Sequence, residues 1–94
     1  MNREEAHKIL SERVRTLRGH SYKDLLHYLH NASADEIIAS SGKPYQIEVE
    51  AMWDGQPDSD LRVVVTIDDG SLRWATVPLV EDFIIRPDGT FVGD

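Results

Sequence analysis

Residues 45–53, YQIEVEAMW, alternate in character. Tyr45, Ile47, Val49, Ala51 and Trp53 fall on one side of an extended chain, and Gln46, Glu48, Glu50 and Met52 on the other. Residues 61–68 repeat the pattern, with Leu61, Val63, Val65 and Ile67 on one side and Arg62, Thr66 and Asp68 on the other, where Val64 is an apolar interruption. Period two is the signature of a β-strand, whose successive side chains point to opposite faces. One greasy face and one wet face predict neighbouring strands covered on one side only. A third strand is expected over residues 72–79, entered through the hairpin signal Asp69-Gly70, with Pro78 placing its end at an edge or bulge. A short strand over 83–85 follows, then the turn Pro87-Asp88-Gly89, from which residues 90–92 can pair back.

The first thirty residues carry a different period. Ala6, Ile9, Leu10, Val14 and Leu17 form one stripe at helical spacing. Asn2 is placed to cap that helix, with Glu5 at the capping-box position. Glu4 and Glu5 suit the positive end of the helix dipole, Arg15 and Arg18 the negative end, and Gly19 offers a left-handed stop. A second helix opens with the pair Ser21 and Asp24, presents Tyr22, Leu25, Leu26 and Leu29 on one face, and ends near Asn31. Residues 35–41 admit two readings. Ser33 and Glu36 could open a short helix, or residues 36–40 could pair with 45–49 across the turn 41–44. The compact turn and the long following strand favour the second. The expected architecture is α+β: an N-terminal αα-hairpin on one face of an antiparallel β-meander of about four strands, with a short C-terminal hairpin, in a single domain over 1–94.

Composition narrows the chemistry. The absence of cysteine excludes disulfides, thiolate catalysis and Cys-based zinc sites. The N-terminal sequence is charged and amphipathic, without the apolar stretch of a secretory signal, and no apolar run approaches a membrane span, so a cytoplasmic protein is expected. The net charge of −7 is unevenly placed: residues 1–43 sum to +1 and residues 44–94 to −8. An acidic half repels phosphates and favours basic partners, although solubility alone also accounts for such a charge.

Three constellations carry candidate chemistry. His20, Asp24, His27 and His30 lie near one another if helix 2 is regular, and imidazole and carboxylate are good ligands for transition metals. Their spacing matches no closed ligand set, and a solvated helix face is the preferred reading, so neither a metal nor another cofactor is assigned. Asp54, Asp58 and Asp60 form an acidic loop without the spacing of a calcium loop. Trp53 and Trp74 read as core aromatics, but the run 74–80 is apolar on both sides of its strand and so calls for a second cover or a partner.

Residues 17–43 resemble the helix-turn-helix of repressor-type DNA-binding proteins, with Ser21 as cap, Leu25 and Leu29 at apolar positions and Gly42-Lys43 closing the segment. The resemblance covers less than a third of the chain and implies DNA binding. The sequence departs from it at Leu26, where a small residue is wanted, at His30, where glycine is usual, and at Glu36, where the motif is apolar. The would-be recognition helix holds no Arg, Lys or Gln to read bases. Neither nucleic acid nor membrane is expected as a partner. The expected role is a non-enzymatic interaction domain that binds a protein partner or itself, as a homodimer, through Glu48, Glu50, Trp74 and Val77; a metal-dependent or enzymatic domain on the helix-2 histidines is the rival.

Overall fold

The computed structural model describes residues 1–70 and 77–93. Helix α1 (Arg3–Arg18) is followed by the single turn α2 (Tyr22–Leu25), which tightens into a 3-10 turn (Leu26–Leu29). Four strands then form one antiparallel sheet in chain order: β1 (Ser33–Ile38), β2 (Pro44–Trp53), β3 (Leu61–Asp68) and β4 (Leu79–Ile85). The α+β architecture expected from the alternation is the one observed, and residues 33–38 resolve the open choice in favour of a strand. That strand occupies the place where a helix-turn-helix protein carries its recognition helix.

The alternation does the sorting. In β2, Tyr45, Ile47, Val49 and Ala51 are buried while Gln46, Glu48, Glu50 and Met52 are exposed. In β3, Leu61, Val63, Val65 and Ile67 are all buried. The register pairs Ile47 with Ile67, Val49 with Val65 and Ala51 with Val63, so the buried sets line up across the strands. Phe83 and Ile85 of β4 extend this floor. Helix α1 lies over β3 and β4 and drives Ala6, Leu10 and Leu17 into it; the 3-10 turn lies over β2. Trp53 is half-buried against the same cluster.

Helix α1 begins as its sequence requires. The Asn2 side chain accepts from the Glu5 N–H at 3.1 Å. The capping box is only half made, because the Glu5 carboxylate turns away from the helix end. One of its oxygens accepts from the Ser41 hydroxyl at 2.7 Å and the Tyr45 hydroxyl at 2.9 Å. Those two bonds tie α1 to the β1–β2 turn and to β2, and they hold the Glu5 carboxyl below its ordinary pKa. The buried Tyr45 phenol is pushed up by desolvation and then by its bond to the Glu5 carboxylate.

Three local expectations are corrected. Gly19 is not left-handed: its φ is −82°, and its N–H returns to Thr16 in the right-handed manner. Its lack of a side chain still matters, since an added Cβ would sit 3.2 Å from the Thr16 carbonyl oxygen. Helix 2 is shorter and tighter than the apolar stripe suggested. Three residues per turn eclipse positions i and i+3, which sets Leu26 and Leu29 together against the core. Of the third strand expected over 72–79, only Leu79 is strand among the described residues. Residues 71–76, Trp74 among them, lie outside the described residues, Val77 and Pro78 are irregular, and β4 begins at Leu79 opposite Ile67. Asp69-Gly70 is therefore not a two-residue hairpin between β3 and β4; the Asp68 carboxylate takes the Gly70 N–H at 2.8 Å and makes a local side-chain turn instead.

The C-terminal hairpin forms as expected. Arg86 and Thr90 are joined by a backbone bond of 2.7 Å, Gly89 closes the turn with φ +89°, and Phe91 bridges to Ile85. The Arg18 guanidinium lies 4.4 Å from the centre of the Phe91 ring, which stacks edge-on to Phe83, so the end of α1 is pinned to this hairpin.

Two stability predictions follow from this packing. Leu10→Ala empties a fully buried position and is expected to cost about 3 kcal/mol in urea unfolding, while Ile38→Ala, at a side chain 61% exposed, costs under about 0.5. Glu5→Gln should lower the thermal midpoint at pH 7. Because the folded pKa of Glu5 is depressed, its contribution is present above the unfolded value and lost as pH falls through the folded one. Melting curves of the two proteins should therefore converge in acid; a gap independent of pH would sink this account of Glu5.

Candidate functional site

The face of the sheet turned away from α1 carries no second layer among the described residues. Its composition follows from alternation and register together. Across the strands run the rows Ala34–Glu48–Thr66–Val80, Glu36–Gln46–Asp68, Glu50–Val64–Asp82 and Met52–Arg62–Ile84. Among the described residues, five carboxylates thus share the face with one cation, Arg62.

That cation is already engaged. Arg62 donates to Asp54 through Nη2 at 2.8 Å and Nε at 3.2 Å, and through Nη1 to Asp82. These bonds raise its pKa further and tie the loop after β2 to β4. Positive charge is therefore consumed at the β4 side of the face. On the β1–β2 side, Glu36 accepts from Gln46 at 3.2 Å, while Glu48 and Glu50 have no hydrogen-bond or ion-pair partner among the described residues. Two residues apart on one strand, their carboxylates stand roughly 7 Å from each other. At that range like charges repel by about 0.6 kcal/mol in water, and an approaching cation removes the penalty.

The face is not uniformly polar. Val64 sits between Glu50 and Asp82, and Met52 and Val80 are exposed by 43% and 58%. Val77, just before β4, is 70% exposed. Of the interface residues expected from sequence, Glu48 and Glu50 lie side by side on this face and Val77 lies beyond one edge of it, while Trp74 is outside the described residues. Sequence reasoning did not find Asp82 and Asp54 as the clamp on Arg62. Their meeting depends on the register of β3 against both β2 and β4, which no local signal encodes.

The histidine constellation does not close. His20 precedes the cap Ser21 and is not helical, and the change to three residues per turn at Leu26 alters the angles that a regular helix would give. His20, Asp24 and His27 border a shallow depression of about 460 Å³, where Lys23 and Tyr28 also stand; His30 does not line it. Lys23 brings a positive charge to the place a metal ion would need. No group of three or more His, Asp or Glu side chains among the described residues is arranged to hold a metal ion. The acidic loop is likewise occupied with structure: Asp54 serves Arg62, Asp54 and Asp60 share a backbone bond, and Asp58 takes φ +64°, a left-handed value that Asp tolerates. The Tyr22 hydroxyl donates to the Ser59 carbonyl at 2.6 Å and fastens the loop to α2. No helix among the described residues is long and apolar enough to cross a membrane.

A second concavity, an open groove of about 1170 Å³, lies between α1 and β1. Ile9 and Ile37 contribute its apolar lining, and Arg13 reaches from α1 to Asp35 of β1 at 3.3 Å. No protein-family model matches the chain, and comparison with curated proteins and with solved structures finds no match to either.

Proposed function

We propose that this chain is a non-enzymatic interaction module that docks a protein partner with a basic surface on its open sheet face. The observation that carries this reading is the pair Glu48 and Glu50, exposed, adjacent and without counter-charge among the described residues, on a face with no second layer. Apolar side chains at Val64, Met52 and Val80 stand among these carboxylates, a mixture that supports contact rather than solvation alone. Long-range attraction from the −8 half of the chain would steer such a partner to the face.

The test uses deca-lysine as a cationic probe in calorimetric titration. Wild-type protein should bind it in a manner that weakens steeply as salt rises towards about 0.15 M. The double variant Glu48→Lys and Glu50→Lys, whose fold circular dichroism should find intact, is expected to bind about ten-fold or more weakly. An affinity unchanged by the charge reversal, or one indifferent to salt, overturns the reading.

A second reading is self-association through the apolar spot at Val77 and Val80, which are exposed by 70% and 58%. It predicts a dimer mass in light scattering that Val80→Lys returns to the monomer. A monomeric wild type at about 100 μM would dispose of it, since a biologically useful homodimer has a Kd well below that concentration.

A further inference from the structure

Strand β1 is an outer strand of the sheet, and the opposite edge is partly closed: Phe91 bridges to Ile85, and the Val92 N–H bonds to the Ile84 carbonyl at 2.9 Å. Among the described residues nothing comparable covers β1. The backbone bond from Ala39 to Lys43 makes that pair a hydrogen-bonded one, and the antiparallel ladder alternates from there. Ser33, Asp35 and Ile37 therefore bond to β2, while Ala34, Glu36 and Ile38 aim their N–H and C=O groups outward. None of those outward groups has a partner among the described residues. Ser33–Ile38 holds no proline, lysine or bulge; its protection is two carboxylates, Asp35 on the α1 side and Glu36 on the open face, which repel a like-charged strand and not a cationic one.

We infer that the basic partner engages this edge through an extended cationic segment, which adds antiparallel to β1 as a further strand. The inference rests on the docking role proposed for the sheet face and names how the partner enters it. The residues that would bond the newcomer are also those whose side chains lie on the open face. A residue opposite Glu36 thus points to the side of Glu36 and Glu48, where a Lys or Arg meets carboxylate. The neighbours of that residue point to the other side, beside Ile37 and the groove under α1, where apolar side chains fit. A second copy of β1 matches this edge badly. Antiparallel pairing centred on Asp35 or Glu36 sets each of these carboxylates against its own twin, and like charges directly opposite are destabilising.

The probe is a blocked hexapeptide alternating Val and Lys, compared with two forms N-methylated at either the Lys or the Val residues. In the proposed register the Lys amides bond to β1 and the Val amides point away. Binding should slow hydrogen exchange at the amides of Ala34, Glu36 and Ile38 by about ten-fold or more. Methylation at Lys should weaken binding about ten-fold or more, methylation at Val should leave it nearly unchanged, and Glu36→Lys should weaken the parent peptide comparably. Equal binding of both methylated forms, with spectral changes confined to Glu48 and Glu50, would overturn the edge inference and leave the face reading standing. So would failure of every hexapeptide at millimolar concentration while deca-lysine still binds. Loss of both the hexapeptides and deca-lysine would remove the two readings together.

Discussion

Exclusion of water from one face of the β2–β3 pair is the constraint on which the other features depend. Eight inward side chains from Tyr45 to Ala51 and from Leu61 to Ile67 are buried, and six of them meet across the ladder as three pairs. Without that floor, α1 has little reason to persist, because a sixteen-residue helix is marginal in water by itself. Burying Ala6, Leu10 and Leu17 against β3 and β4 changes the balance, and each large apolar side chain so buried contributes about 1.5–3 kcal/mol. The polar attachments then choose among the ways a helix could lie on an apolar sheet. Glu5 fixes one end of α1 to Tyr45 and Ser41, Arg13 reaches Asp35, and Arg18 stacks on Phe91. None of the three is strong; together they set direction.

How much of this was legible depended on whether the cause was local. The alternation at 45–53 and 61–68 revealed the strands and their inward residues, since burial on one face needs only period two. Asn2 and Ser21 revealed the helix starts because a cap bonds three residues away. Longer-range causes were not readable. Glu5 has the right spacing for a capping box, but two hydroxyls 36 and 40 residues downstream compete for its carboxylate and win. Asp69-Gly70 has hairpin chemistry, yet Asp68 takes the Gly70 N–H and β4 pairs with β3 from Leu79, opposite Ile67. The stripe Tyr22–Leu29 predicted the buried face of helix 2 but not its tightening at Leu26, which answers to the shape of the floor beneath. On the open face, Glu48 and Glu50 could be foreseen from alternation, whereas the engagement of Arg62 by Asp54 and Asp82, and the free edge of β1, follow from strand order and register.

Sheet order also distributes charge in a way composition does not express. The face is acidic throughout by sequence, but Arg62, shared between Asp54 and Asp82, offsets part of the charge on its β4 side, and Glu36, Glu48 and Glu50 on β1 and β2 have no ion-pair partner among the described residues. Strand β1 also presents the outward backbone of Ala34, Glu36 and Ile38, which has no partner among the described residues. Two kinds of unsatisfied group, one ionic and one hydrogen-bonding, therefore stand on adjacent strands.

Solubility is a sufficient reason for exposed carboxylates, and it would be served best by a face with no apolar side chains at all. Here Val64 sits between Glu50 and Asp82, with Met52 and Val80 nearby, where they add nothing to the core on the far side of the sheet. An apolar centre ringed by charge exposes surface that only contact would remove from water, and it does so beside an edge strand without the lysines or prolines that keep sheets apart. Acidic groups on that edge discourage pairing between identical chains while leaving it open to a segment of opposite charge. Strand order brings the open face and the outer edge together at β1, whose outward backbone groups belong to the residues that carry side chains on that face, so the two form one continuous surface.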